Sequence, residues 1–275
     1  MYYDFYQLTE NPFNVTADPD FFFSSKHHTH AFSSLVYGIE QRKGIVVITG
    51  EVGTGKTTLL KKLTKHFDHE KKFALILNPC VSEIQLLQMI HQDLGLQQTQ
   101  RNKISLIQSL NEYLLSEFSK GHNVILLIDE AQNLGKKQLE QIRLLSNLET
   151  DKEKLIQIIL IGQPELHQKL QLNELRQLRQ RIAVHYHLTP LDKEDIFYYI
   201  EHRIKKAMRD SKQSMSIQFS EDAIEKIYKI THGYPRTINM LCDRALLASF
   251  VVESFYIDKN MIENCAKEIL YCEHH

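Results

Sequence analysis

The run Ile45-Val46-Val47-Ile48-Thr49 passes directly into Gly50-Glu51-Val52-Gly53-Thr54-Gly55-Lys56-Thr57, which fills the pattern G-x-x-x-x-G-K-[ST] in full. An apolar, β-branched run of that length reads as a buried strand, and Leu59, Leu60 and Leu63 beyond it read as the inner face of a helix. Strand, glycine-rich turn and helix in that order leave few folds open. The glycines let successive backbone N–H groups point inward, and the helix N-terminus adds its partial positive charge, which makes a cradle for phosphate. Lys56 is expected to reach the β- and γ-phosphates of a nucleotide, and the Thr57 hydroxyl to ligate Mg²⁺. Gly50, Glu51, Val52, Gly53, Thr54, Gly55 and Thr58 complete the expected nucleotide-contacting set.

Four further apolar segments repeat the strand signal: Phe73 to Leu77, Val124 to Ile128, Ile156 to Ile161 and, less apolar, Ala183 to Leu188. Stretches of helical period lie between them, such as Ile104, Leu106, Ile107, Leu110, Leu114 and Leu115. Alternating strands and helices predict an α/β fold with a doubly wound, five-stranded parallel sheet covered on both faces. The third strand ends in Asp129-Glu130. A buried strand would fix Asp129 opposite the phosphate loop to hold Mg²⁺, and Glu130 would orient or deprotonate the attacking water.

After Pro190 the strand signal fades. Asp192 to Arg209, Ser220 to Thr231, Pro235 to Val252 and Asp258 to Leu270 read as helices, with Asp192, Ser220 and Asp258 as N-caps and Pro235 at a first helical position. The expected division is a nucleotide-binding domain over 1–190, opening with an aromatic-rich linker, and a small all-helical lid over 191–275.

Composition narrows the function classes. Of 275 residues, 43% are hydrophobic and 24% charged, which is a folded chain and not a disordered one. Lys+Arg 33 against Asp+Glu 34 gives a net charge of -1, which argues against nucleic acid as the main partner. No apolar run approaches membrane-span length and Met1-Tyr2-Tyr3-Asp4 lacks a basic start, so a cytoplasmic chain is expected. Cys80, Cys242, Cys265 and Cys272 match neither a zinc site nor a disulfide framework and are expected to be reduced thiols, mostly in the core. His27, His28 and His30 have no Cys or carboxylate cluster at ligand spacing beside them.

With the loop, the Asp-Glu strand and the C-terminal helices together, the chain resembles an AAA+ ATPase. Tyr6-Gln7-Leu8-Thr9-Glu10-Asn11-Pro12-Phe13, Thr16-Ala17-Asp18-Pro19 and Tyr37-Gly38-Ile39 are similar to the general secretion pathway protein A family, which takes in secretion ATPases and the MSHA pilus biogenesis ATPase. Asp129-Glu130-Ala131-Gln132-Asn133-Leu134, Ile161-Gly162-Gln163-Pro164-Glu165-Leu166, Gln180-Arg181-Ile182 and Gly233-Tyr234-Pro235-Arg236-Thr237-Ile238-Asn239 extend the likeness over nearly the whole chain.

The resemblance implies an AAA+ core with ATP and Mg²⁺ as cofactors. It places Gln163 at the end of the fourth strand as the sensor that touches the γ-phosphate or water, and Arg236 as a second sensor on the lid. Arg181, with Arg179 next and Arg176 after it, would present an arginine finger to a neighbour's ATP in a homo-oligomer. Pro12-Phe13 would pack near the adenine. The resemblance also implies an envelope assembly partner and leaves room for a peripheral place at the inner membrane. Secretion members continue beyond such a region into a membrane span and a periplasmic domain, whereas this sequence stops at Tyr271-Cys272-Glu273-His274-His275, as a short pilus-type member or a fragment would. The competing expectation is a DNA-associated nucleotide switch like the transposition-target ATPases. It draws on Lys61-Lys62 and Arg203-Ile204-Lys205-Lys206, and the neutral charge weighs against it.

Overall fold

The computed structural model describes residues 2–67, 71–97, 102–209 and 217–273. In chain order the elements are α1 (Tyr2–Tyr6), α2 (Lys26–Glu40), β1 (Ile45–Gly50), α3 (Lys56–His66), β2 (Lys71–Ile76), α4 (Glu83–Asp93), α5 (Lys103–Ser119) and β3 (Asn123–Ile128). They continue with α6 (Lys136–Leu145), β4 (Ile156–Gly162), α7 (Pro164–Leu170), α8 (Arg176–Arg179), β5 (Ile182–Leu188) and α9 (Asp195–Ala207). The last are β6 (Gln218–Phe219), α10 (Glu221–Thr231), α11 (Pro235–Val251), β7 (Tyr256–Ile257) and α12 (Lys259–Glu273). His274, His275 and the side chain of Cys272 lie outside the described residues.

The chain divides into two compact units. One comprises His28–Val52 and Leu59–Leu188. It is built on a five-stranded sheet in the order β2-β3-β4-β1-β5, with every neighbouring pair parallel, as the strand-helix alternation predicts. The residues of β1, β3 and β4 are buried throughout, which is why these strands read as nearly continuous apolar runs, broken within β4 by Gln157. One face is packed by Leu86, Leu87 and Ile90 of α4, Leu106, Leu110 and Leu114 of α5, and Leu139 and Ile142 of α6. The strand β4 lies between β1 and β3, so three C-terminal strand ends stand side by side.

The other unit comprises Met1–His27, Gly53–Thr58 and Thr189–His275. Its core joins Tyr6, Leu8, Phe13 and Phe21 to Ile196, Tyr199 and Ile200 of α9, Ile227 of α10, and Ile238, Leu241 and Leu246 of α11. The opening segment is thus a structural part of the helical unit, where the sequence suggested a linker of the nucleotide-binding domain. Its aromatics bury there and its polar groups are met: Tyr6 Oη donates to the carbonyls of Leu246 (3.3 Å) and Ser254 (3.1 Å), and Asn11 Nδ2 donates to Asp243 Oδ1 (2.8 Å). Arg203, 6% exposed, lies over the Phe21 ring and donates to the carbonyls of Pro12 and Asn14, the latter at 3.0 Å. Phe13 is 1% exposed inside this core, packed among the apolar side chains of the helical unit.

Two smaller expectations also change. The C-terminal region is not purely helical, because β6 and β7 form a short parallel pair. Asp192 does not cap α9, which begins at Asp195 after Glu194, whereas Ser220 Oγ accepts the Ala223 N–H at 3.1 Å and Asp258 Oδ1 the Met261 N–H at 2.8 Å. Among the described residues no helix is long and apolar enough to cross a membrane.

Candidate active site

The phosphate loop turns where the glycines permit it: Gly53 has φ 83° and Gly55 φ 93°, in the left-handed region. The helix α3 starts at Lys56, so Thr57 and Thr58 fall in its first turn, where backbone N–H groups have no partner in the helix itself. Thr54 and Lys56 are buried, Gly53, Gly55, Thr57 and Thr58 half-buried, and Glu51 and Val52 exposed. An anion cradle on glycine turns with a lysine inside it fits nucleotide phosphates. The Thr57 hydroxyl and the Asp129 carboxylate are hard oxygen donors of the kind Mg²⁺ takes.

Within the same unit, Pro235 opens α11 and sets Arg236 in its first turn. The Arg236 N–H donates to the Gly53 carbonyl at 3.2 Å. A Cβ on Gly53 would stand 2.9 Å from Arg236 Cβ, so the approach of α11 to the loop depends on glycine there. The Leu191 N–H donates to the Gly233 carbonyl at 2.9 Å, which anchors the turn before α11.

In the sheet unit, β1, β3 and β4 end at one edge. The register sets Thr49 beside Gly162 and Ile128 beside Leu160, so Gly50, Asp129-Glu130 and Gln163 leave the sheet in the same direction. Asp129 is 3% exposed, and its Oδ1 accepts the Glu130 N–H at 2.9 Å. Glu130 has φ 51° and ψ 36°, a left-handed conformation that costs a non-glycine residue roughly 1–2 kcal/mol and concentrates at functional turns. Its Oε2 accepts from Gln163 Nε2 at 3.3 Å and from Gln132 Nε2 at 2.5 Å. Gln132 is a residue the sequence offered only as part of a motif string, with no pattern to single it out.

On the far strand, Thr49 Oγ1 lies 3.2 Å from His185 Nε2 and 3.0 Å from His187 Nδ1, and His185 stacks on His167. Desolvation, then the nearby His167 and His187, push the His185 imidazole below its ordinary titration range. Of the three finger candidates, Arg176 is exposed at the start of α8. Arg179 Nη1 donates to the Leu170 carbonyl (3.2 Å) and Gln171 Oε1 (3.3 Å). Arg181 is half-buried just before β5, and after Lys154 it adds to the charge that holds the Glu149 carboxyl below the usual carboxylate range.

Residues 39–170 match the family described as AAA domain. The general secretion pathway protein A of Aeromonas hydrophila is 40% identical over 270 residues, which are 98% of this chain and 48% of that protein, so the chain spans about half the length of this curated relative. Among solved structures, Cdc6p from Pyrobaculum aerophilum is similar with a TM-score of 0.68 at 18% identity, over 92% of this chain and 71% of that one. The Aeropyrum pernix ORC2 protein in its ADPNP-ADP complexes gives 0.63 at 15%, over 88% and 66%. A RuvB variant from Thermotoga maritima gives 0.60 at 17%, over 93% and 72%. At these identities the three structures speak to the fold.

Proposed function

We propose that this chain, which belongs to the AAA+ ATPases of the secretion-protein-A type, couples Mg²⁺-dependent ATP hydrolysis to the assembly or remodelling of bacterial secretion or pilus machinery. One observation carries the proposal: a complete phosphate loop leaves β1 at the sheet edge where β3 delivers Asp129 and Glu130.

Each residue has a separate task. Lys56 and the N–H groups of the loop and first turn of α3 bind and orient the phosphates. Thr57 and Asp129 would hold Mg²⁺, which when bound neutralises charge on the transferring phosphoryl group. Glu130 orients the attacking water or takes its proton on a carboxylate oxygen. Gln163 and Arg236 report the γ-phosphate to the sheet and to α11. The finger comes in trans from a second copy, and Arg181 is favoured over Arg179 because Arg179 already bonds within its own chain at Leu170 and Gln171. A peripheral place at the inner membrane goes with an envelope partner. The likeness to a secretion protein over 98% of the chain, with the net charge of -1, favours this role over a DNA-associated switch.

Turnover of Mg-ATP by the purified chain against Lys56→Ala tests the proposal, with mass in solution measured beside it for wild type and Glu130→Gln with a slowly hydrolysed ATP analogue. Turnover that rises with protein concentration, and larger assemblies on adding the analogue, are expected. Activity no higher than that of Lys56→Ala at every concentration would overturn it.

A further inference from the structure

We infer that Gln132 is the positioning residue that aims the Glu130 carboxylate at its water and ties it to the end of β4. The inference rests on the proposed role of Glu130 as the residue that orients or deprotonates that water.

Glu130 sits on a strained turn, and its side chain caps nothing in the short helical turn that follows. Left alone, a carboxylate there would sample several rotamers. Gln132 removes that freedom through both ends of one amide. Its Oε1 accepts the backbone N–H of Gln163 at 3.0 Å, and its Nε2 donates to Glu130 Oε2 at 2.5 Å. The amide has one orientation available: only its oxygen can accept from a backbone N–H, so the NH₂ group must face the carboxylate. Gln163 Nε2 places a second donor on the same Oε2 at 3.3 Å. Both donors hold Oε2, and among the described residues no bond is made to Oε1, the oxygen left to meet a water.

The support beneath Gln132 is equally specific. Lys169 Nζ, from α7, donates to the carbonyls of Gln132 (2.6 Å) and Leu134 (2.7 Å) and fixes the turn. A Cβ on Gly162 would stand 2.8 Å from Gln132 Oε1 and 3.1 Å from its backbone N, so the space for this amide exists because residue 162 has no side chain. A plain turn anchor would need the bond to the Gln163 N–H alone. The donation to Glu130 is what a positioning role adds.

Gln132→Glu separates the two. The new carboxylate still accepts from the Gln163 N–H, but it cannot donate to Glu130 and repels it. In the full chain with Mg-ATP, we expect kcat to fall about 100-fold, as misplacement of a reacting group does, while a fluorescent ATP analogue binds within about threefold of wild type. Gln132→Met, which adds no charge and makes neither bond, should lose kcat in the same way and takes over the test if the Glu variant does not fold. Adding Gln132→Glu to Glu130→Gln should cost nothing further. A kcat within threefold of wild type in the variants, or a fall matched by equal weakening of analogue binding, overturns the inference. Glu130→Gln alone tells the failures apart. If it is inactive while both Gln132 variants turn over normally, only the role of Gln132 fails; if it turns over like wild type, the role of Glu130 fails and this inference with it.

Discussion

The Arg236 N–H donates to the Gly53 carbonyl at 3.2 Å, so the first turn of α11 is pinned by its backbone to the phosphate loop. The bond leaves the Arg236 side chain out of the structural task, and that side chain is exposed. Arg236→Ala should therefore keep the wild-type melting temperature and lower turnover by about 100-fold, the scale of losing one charge-stabilising donor. Calorimetry beside steady-state kinetics checks it, and a large fall in melting temperature with intact kcat would contradict it.

Gly53→Ala acts on the same bond from the other side. The new methyl would be forced into a left-handed backbone and would meet Arg236 Cβ at 2.9 Å. Nucleotide affinity should drop at least about tenfold and the melting temperature should fall as well, unlike Arg236→Ala. Titration with a fluorescent analogue and a thermal melt distinguish the two variants.

The N-terminal aromatics give a test of placement. Phe13 is buried among apolar side chains of the helical unit, so Phe13→Ala should destabilise the chain by roughly 3–5 kcal/mol, and Phe13→Leu by much less. Urea unfolding measures it. A role beside the adenine would show instead as weaker nucleotide binding with an unchanged unfolding midpoint.

Two histidines make stability fall in acid. Desolvation is the largest cause holding both His185 and His202 below their ordinary 6.5; His167 and His187 add to it at His185, and Lys206 and Arg203 at His202. A depressed imidazole takes up its proton at lower pH in the folded state than in the unfolded chain, which takes it up near pH 6.5. Stability from this source is complete above pH 6.5 and lost as pH falls through the folded-state values below it. Unfolding midpoints at pH 7.5 and 5.5 should differ less in His185→Gln than in wild type, and an identical difference would remove His185 from the account.

Thiol reactivity should follow burial. Cys80 is exposed, while Cys242 and Cys265 are buried and burial pushes both thiols up, which keeps them protonated and slow to react. Brief treatment of the native chain with iodoacetamide, read by peptide mass, should label Cys80 and spare Cys242 and Cys265 until denaturant is added.

The three central strands β1, β3 and β4 were readable because they are buried on both faces, and an element buried on both sides is apolar at nearly every position. The run Val124 to Ile128 falls inside β3, Asn123–Ile128, for that reason. The loop from Gly50 to Thr57 and the Asp129-Glu130 pair were legible because glycine, lysine, hydroxyl and carboxylate at fixed spacing each serve a chemical need. Gln132 carried no such signal. A glutamine two residues past an acid is ordinary, and its meaning lies in a bond to residue 163, reached only when β4 inserts between β3 and β1.

Sequence alone thus determined which segments become the five strands of the main sheet, where a phosphate-loop pattern lies and which acids stand at a strand end, since these follow from local pattern and residue chemistry. Tertiary structure decided that Phe13 serves the core of the helical unit, that α11 bonds to Gly53, and that one amide holds Glu130 to the end of β4. Those outcomes depend on which distant surfaces bury against each other, and periodicity within one segment carries no information about its partner.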